Sequence, residues 1–499
     1  METFTKLYSE GLPLILHIEM ILLMFFSVFL GITIGALPGL TVTMGISILL
    51  PFTYKLSPFA GIIGLLGVYV GGNYGGSISA CLINIPGTPS AIMTTLDGYP
   101  MTKKGFAGKA IFLSTTSSFL GGMFSVIVLS LISPVIARIA LSFTSVEYFL
   151  IGIFGLSTIA YIVEGSFSKG IISALLGLLI ATIGSDPMVG HPRFTFNRAE
   201  LFTGVEFITA MIGLFGVAEI LLQLEKGEHL KQVKQHIKNI YSNFKELKNL
   251  VWIIMRSSVT GVIIGAIPGA GGTIASIVSY GQQKRFSRHP ERLGKGDPEG
   301  IVAAESANNA CTGGAMITML SLGIPGDAVT AILIGAFMIH GLRPGPVLFK
   351  QNFELVSAIF IGMFISNIFM CFIGLVGAPL FARLISLSKK YLNPAILVFT
   401  IIGSYAIRNN FFDVGTMLVF TVIGYLMAKV KIPRTPLVLA LILGPIIESN
   451  LRRGLILVDG DILLFLQRII TRPISAFIFF LTIFILFLPL LGKRFNRKA

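Results

Sequence analysis

Residues 71–100 read Gly-Gly-Asn-Tyr-Gly-Gly-Ser at 71–77, then an apolar run holding Cys81 and Asn84, then Ile85-Pro86-Gly87-Thr88-Pro89, and finally Leu96-Asp97-Gly98-Tyr99-Pro100. Glycine, proline and hydroxyl groups at this density are costly inside apolar sequence. In lipid, every backbone N–H and C=O freed by a Pro-Gly break needs a partner in protein or in a water-lined cavity. Breaks of this kind therefore usually line a binding site, and this chain makes the break twice.

The surroundings of that stretch are those of a membrane protein. The 499 residues are 54% hydrophobic and only 12% charged, with a mean hydropathy of +0.85. Apolar runs near the roughly 20 residues needed to cross a bilayer as a helix recur from end to end. The expected fold is an all-α polytopic membrane protein with about 11 or 12 transmembrane helices. The net charge of +15 lies in a few inter-helix loops and at the C-terminus. Basic loops mark the cytoplasmic face, and no basic surface alternates with aromatics as nucleic-acid binding would require. Cys81, Cys311 and Cys371 sit in apolar stretches whose spacing suggests neither a metal site nor a disulfide framework. No basic leader precedes a small-residue cleavage site, so the first hydrophobic segment is expected to be a retained span.

The break at Gly31-Ile32-Thr33-Ile34-Gly35-Ala36-Leu37-Pro38-Gly39 returns 230 residues later as Gly261-Val262-Ile263-Ile264-Gly265-Ala266-Ile267-Pro268-Gly269. Tyr74-Gly75-Gly76 is answered by Thr312-Gly313-Gly314, and Asn84-Ile85-Pro86-Gly87-Thr88 by Gly323-Ile324-Pro325-Gly326-Asp327. Three landmarks in the same order indicate an internal duplication, with the loop 282–298 inserted in the second copy. The first repeat is read as 1–250. It has breaks at 31–39 and 71–100, more regular spans over 110–224 and a hydrophilic stretch at 225–250. In that stretch Leu230, Val233, Ile237 and Ile240 suggest an amphipathic surface helix. The second repeat is read as 251–499, with breaks at 261–272 and 308–345 and spans over 353–492. Segment 353–388 could be one helix or two, and 450–467 is too mixed in character to place. Matching loops alternate in basic content, as expected for halves inserted in opposite orientations. On that reading the N-terminus faces out, and 102–109, 225–250, 284–298 and the C-terminus face the cytoplasm.

Inverted repeats with helices broken at the midplane mark many secondary transporters. A helix that starts after a Pro-Gly break points unpaired N–H groups and the positive end of its dipole into the cavity, which suits an anion. Carbonyls freed on the other side can hold a cation such as Na⁺. The first break offers Asn73, Ser77, Ser79, Asn84, Pro86, Gly87, Thr88, Ser90 and Thr94. The second offers Asn308, Asn309, Thr312, Gly313, Gly314, Thr318, Ser321, Pro325, Gly326, Asp327 and Thr330. Gly35, Pro38, Gly39, Gly265, Pro268 and Gly269 are the hinge positions. Asp97 and Asp327 flank the breaks and could hold a coupling cation or proton; Asp327 could equally cap the helix that follows. Many of the small residues could also be ordinary helix contacts, which membrane interfaces favour. Glu147, Glu206, Glu219, Asp413 and Glu448 receive no role, His340 could titrate near neutral pH or be a loop-edge group, and Arg343 and Arg408 could meet a substrate carboxylate but read better as interfacial anchors.

Gly35-Ala36-Leu37-Pro38-Gly39, Tyr74-Gly75-Gly76-Ser77, Pro86-Gly87-Thr88-Pro89 and Asp97-Gly98-Tyr99-Pro100, with their second-half counterparts, resemble the large membrane subunit of bacterial tripartite tricarboxylate transporters, the TctA family. The resemblance covers nearly the whole chain. It implies a secondary active importer of citrate or related carboxylates in the bacterial inner membrane. Its implied partners are a small membrane subunit and a periplasmic substrate-binding protein, with energy from a Na⁺ or H⁺ gradient and no other cofactor. A carboxylate transporter that works alone and an anion channel are the alternatives. An enzyme is disfavoured, since neither His-Glu-x-x-His nor Gly-x-Ser-x-Gly occurs.

Overall fold

The computed structural model describes residues 9, 11–37, 40–162, 167–186, 188–226, 244–384 and 389–495. In chain order the first half contains α1 (Ile18–Ala36), α2 (Val42–Thr53), α3 (Pro58–Ile83), a 3₁₀ turn (Pro89–Ala91), α4 (Ile92–Lys103), α5 (Ala107–Ala140), α6 (Ser145–Ile162) and α7 (Phe167–Ala181). A two-residue hairpin, β1 (Gly184–Ser185) with β2 (Pro192–Arg193), leads to α8 (Phe207–Met211), a π-helical turn (Ile212–Val217) and α9 (Ala218–Lys226). The second half contains α10 (Phe244–Asn249), α11 (Val251–Gly265), α12 (Gly271–Phe286), α13 (Pro298–Leu322), α14 (Ala328–Ile339), α15 (Pro346–Gln351) and α16 (Phe353–Leu384). It ends with α17 (Lys389–Arg408), α18 (Phe411–Lys429), α19 (Thr435–Ile456), α20 (Ile462–Thr471) and α21 (Pro473–Phe495).

The protein is an all-α, multi-pass membrane protein, the short hairpin apart. Among the described residues five helices are long and apolar enough to cross a membrane unaided, and up to six if α20 and α21, bent by 97°, count as one span. That is half the expected number. Many of the remaining apolar segments are helices of 10–17 residues, too short to cross alone. Glycines and polar groups dilute the apolar character of α3 and α13, which are long enough at 26 and 25 residues. Both are shielded from lipid: every residue from Gly300 to Ser321 is buried. Segment 353–388 is one helix as far as Leu384. Segment 450–467 is divided between the end of α19 and the start of α20. The last of the spans expected over 110–224 begins at Phe207. Most of the expected helix at 225–250, including Leu230, Val233, Ile237 and Ile240, lies outside the described residues, as do the hinge positions Pro38 and Gly39.

The repeated landmarks make repeated contacts. α1 packs on α3 as α11 packs on α13. A Cβ at Gly31 would strike the Val68 carbonyl, and one at Gly261 the Ala307 carbonyl, so both pairs cross at backbone distance. α3 ends in Asn84 at φ 59°, and α13 ends in Gly323 at φ 75°, each a left-handed terminus just before Ile-Pro-Gly. A Cβ at Gly87 would meet the Gly35 carbonyl, and one at Gly326 the Gly265 carbonyl. α3 then packs on α16 from the other half, while α13 packs on α5, so the two halves interlock.

Two stretches expected to be irregular are helical. Gly71 to Ser77 lies inside α3 and, Asn73 apart, is buried; Gly71 and Gly75 serve close packing against α1, Gly72 against Val42 of α2 and Gly76 against Thr88. Asp97 to Pro100 lies inside α4, which continues to Lys103. Within 71–100 the real interruption is confined to 84–88.

A charged clamp holds the hairpin to α19. Arg193 pairs with Glu448 at 2.6 Å, and Arg452 with Asp186 at 2.7 Å. The Met188 and Val189 N–H groups, with Arg452 in support, hold the Asp186 carboxyl down at about 2. Its folded value is depressed, so its contribution is complete above the ordinary carboxylate range and is lost as pH falls through about 2. Amide protection at 188–191, corrected for the intrinsic pH dependence of exchange, should therefore be the same at pH ~5.5 as at neutrality, and lower throughout in Asp186→Asn. A loss of wild-type protection at pH ~5.5 would contradict this assignment.

Candidate functional site

Four helical starts converge on one cavity of about 290 Å³. Thr41, Val42 and Thr43 bring the start of α2, and Thr88, Pro89 and Ser90 the 3₁₀ turn that leads into α4. Gly271, Gly272 and Thr273 bring the start of α12, and Asp327, Ala328 and Val329 that of α14. Each start follows a Pro-Gly break, because proline has no N–H to extend the preceding helix and glycine lets the chain turn. First-turn N–H groups, each with its share of positive dipole, therefore gather around one space from both halves.

The remaining wall carries a cation. Arg434, just before α19, donates from Nη1 to the Leu214 carbonyl in the π-helical turn at 2.7 Å. Its Nη2 meets Glu219 Oε2 at 2.9 Å, and its guanidinium lies 5.3 Å from the centre of the Phe215 ring. Phe215, Glu219, Arg434 and Thr435 all face the cavity. π-turns tend to occur at functional sites, because they re-aim carbonyls and side chains out of the helical register. On α3, Asn73 lines the cavity and its carbonyl accepts from Asn308 Nδ2 at 3.3 Å. The fully buried Asn308 Oδ1 has no hydrogen-bond partner among the described residues and lies against Gly272. The arrangement can hold a small anion by backbone N–H groups, hydroxyls and one guanidinium.

The family profile of the tripartite tricarboxylate transporter TctA family matches residues 21–439. The chain belongs to this family. It is 37% identical over 452 residues to a protein of Agrobacterium vitis described as an uncharacterized 52.8 kDa protein in the TAR-I ttuC' 3' region, covering 91% of this chain and 89% of that one. It is also 37% identical over 216 residues to an uncharacterized protein in the TAR-II ttuC' 3' region of the same organism, covering 43% of this chain and 88% of that one. No solved structure matches it. A transporter role follows from the family.

Among the residues expected at the site of this TctA-family chain, Asn73, Thr88, Ser90, Asp327 and the hinge residue Gly269 line the cavity. Asp327 caps α14: its Oδ1 accepts from the Thr330 N–H at 2.7 Å in a capping box, and its Oδ2 accepts from the Tyr69 hydroxyl at 2.5 Å. Gly87, Pro325 and Gly326 build the breaks without lining the cavity, and Pro86 and Asn84 lie farther out, the latter exposed. Gly35, Gly265 and Pro268 stand behind the breaks. Ser77 is bonded to the Tyr74 carbonyl and to Ser114, Thr312 to the Asn309 carbonyl, and Gly313 and Gly314 pack on α5 and α11. None of these four lines the cavity.

Asp97 is also absent from the cavity wall. Its Oδ1 accepts from the N–H groups of Gly294, Gly296 and Asp297 at 2.8–2.9 Å, and its Oδ2 from the Tyr280 hydroxyl at 2.8 Å. Four donors satisfy the carboxylate, so α4 holds the inserted loop through it. Asp97→Ala strands three backbone N–H groups and is expected to cost about 3 kcal/mol or more. A lowered melting temperature together with protease cleavage within 287–297 is the expected result; an unchanged melting curve would remove the clamp. Sequence reasoning did not select Thr41, Thr43, Gly271–Thr273 or Arg434, and gave Glu219 no role.

Proposed function

We propose that this chain is the substrate-translocating subunit of an ion-gradient-driven importer of a tricarboxylate or a related small carboxylate. The convergence of four helical starts and Arg434 on one cavity carries this reading. A polycarboxylate needs several donors around a small volume, and neutral donors provide them without the desolvation cost of several buried cations. At about 290 Å³ the space suits a small metabolite. The subunit would work in the bacterial inner membrane with a small membrane subunit and a periplasmic binding protein. The two repeats would be inserted in opposite senses. With 225–250 in the cytoplasm, Glu219 and Arg434 would stand at the inner side of the cavity. An elevator-like movement of the broken-helix regions past the other spans would then carry the site across.

The test is uptake of labelled citrate and a panel of other carboxylates into vesicles holding this chain and its small partner. Each would be measured with and without the binding protein, and with and without Na⁺ or pH gradients. Uptake that requires both the binding protein and a gradient is expected. Uptake by this chain alone would favour a self-sufficient transporter, and uncoupled conductance a channel. Failure to move any carboxylate, with the complex intact, would overturn the substrate class.

A further inference from the structure

Behind the cavity lies a buried carboxyl that the site itself does not use. Glu305, on α13, is fully buried and lines no part of the cavity. Its Oε1 accepts from the Thr94 hydroxyl of α4. Its Oε2 accepts from the Ser118 hydroxyl of α5 at 3.0 Å and from Asn309 Nδ2 at 3.4 Å. Asn309 Nδ2 also bonds Ser118 Oγ at 2.8 Å, so α4, α5 and α13 close around one group. Among the described residues no cation pairs with it.

The titratable groups that face it are Tyr74 and Cys81 of α3, both fully buried. Of the other ionisable groups on the surrounding helices, Asp97 is bonded to the inserted loop, Tyr280 of α12 to Asp97, and Glu299 of α13 and Arg256 of α11 to the Gln283 amide. A buried carboxylate held only by neutral donors is costly, and ionisable groups inside a membrane bundle are functional candidates by default. Two of its donors are hydroxyls, which can turn to accept once the carboxyl carries a proton. The network can therefore hold either charge state without rearranging. It also lies one helical turn from the cavity on two helices. Ser90 lines the cavity and Thr94 sits one turn farther along, while Asn308, against Gly272, is three residues from Glu305.

We propose that Glu305 is the proton-carrying group of this transporter, binding one proton from the outer solution and releasing it to the cytoplasm once per import cycle. The carboxylate becomes a carboxylic acid and returns to carboxylate, so one proton moves inward with the substrate. This rests on the importer reading above.

The decisive comparison is wild type against Glu305→Gln, each assembled with its partners in vesicles, with citrate as the probe. Net accumulation driven by a pH gradient would be read beside gradient-free exchange of labelled against unlabelled substrate. Glu305→Gln is expected to lose accumulation about tenfold or more, to keep exchange within about twofold, and to lose the pH dependence of exchange. Accumulation by Glu305→Gln at the wild-type level would overturn the proposal, as would wild-type accumulation driven by Na⁺ and indifferent to pH. Absence of both exchange and accumulation in wild type would instead strike the importer reading itself. Should Gln prevent assembly, Glu305→Asp keeps the carboxyl and is expected to shift the pH profile of accumulation while exchange persists; an unshifted profile would count against the assignment.

Discussion

Arg434→Ala is expected to reduce carboxylate transport by about a hundredfold or more, mainly through weaker substrate binding. The guanidinium is the cation on the cavity wall, and two of its five donors are committed, to the Leu214 carbonyl and to Glu219. The others are available to an incoming carboxylate. Removing a charged partner from a desolvated, hydrogen-bonded contact typically costs about 2–5 kcal/mol, which sets the scale of the loss. Arg434→Lys should rescue little, since a point charge cannot span Leu214 and Glu219 while presenting a fork to substrate. Glu219→Gln should act in the opposite sense on binding. It leaves the guanidinium uncompensated, so apparent KM falls while slower release lowers turnover. Initial uptake rates over a range of substrate concentrations separate these effects. A wild-type KM in Arg434→Ala would show that the anion is held elsewhere.

The parts of this protein that were legible in the sequence are those in which a single residue dictates backbone chemistry. Proline without an N–H, followed by glycine, stops a helix wherever it falls, so Pro86-Gly87 and Pro325-Gly326 mark real breaks. Glycine alone is ambiguous. In Gly71 to Gly76 it is consumed in close packing, and only the neighbouring α1, α2 and Thr88 reveal that. Pro100 was misleading in another way: it lies inside α4, and the helix runs on past it to Lys103 although proline cannot donate back to the Leu96 carbonyl. Arg434 could not have been singled out locally. Lys431-Ile432-Pro433-Arg434-Thr435-Pro436 reads like any basic loop between spans, and only tertiary packing turns it toward the cavity. Glu305 did carry a signal, an acid within an otherwise apolar and small-residue helix. Its surroundings, which give that acid meaning, come from α4 and α5, some 190–210 residues away.

Gly326→Ala is expected to leave almost no folded transporter, and Gly87→Ala to do the same from the other half. At Gly326 an added Cβ would press on the Gly265 carbonyl and come within 2.5 Å of Ala315 Cα and 2.7 Å of its Cβ. At Gly87 it would press on the Gly35 carbonyl and lie 2.7 Å from Ser79 Oγ and 3.0 Å from Gly76 Cα. These obstacles are mostly backbone, which cannot rotate away as a side chain does. Relief therefore requires the break to withdraw from the helix crossing. Overpacking a well-filled interior typically costs about 1–3 kcal/mol, and displaced backbone places these two at or above the upper end. Gly281→Ala and Gly415→Ala are the internal controls. Both positions are helical with nothing within 4 Å of an added Cβ, so the change should be neutral or slightly stabilising. Melting temperature and the yield of monodisperse protein in detergent provide the comparison. If Gly326→Ala folds normally while Gly87→Ala does not, the two breaks are not mechanically equivalent. The recurrence at 87 and 326 would then be a resemblance of sequence without a shared structural task. Equal and large losses would instead show that both halves depend on the same contact, a break pressed onto the carbonyl of a crossing helix. That contact holds the helical starts in place around the cavity.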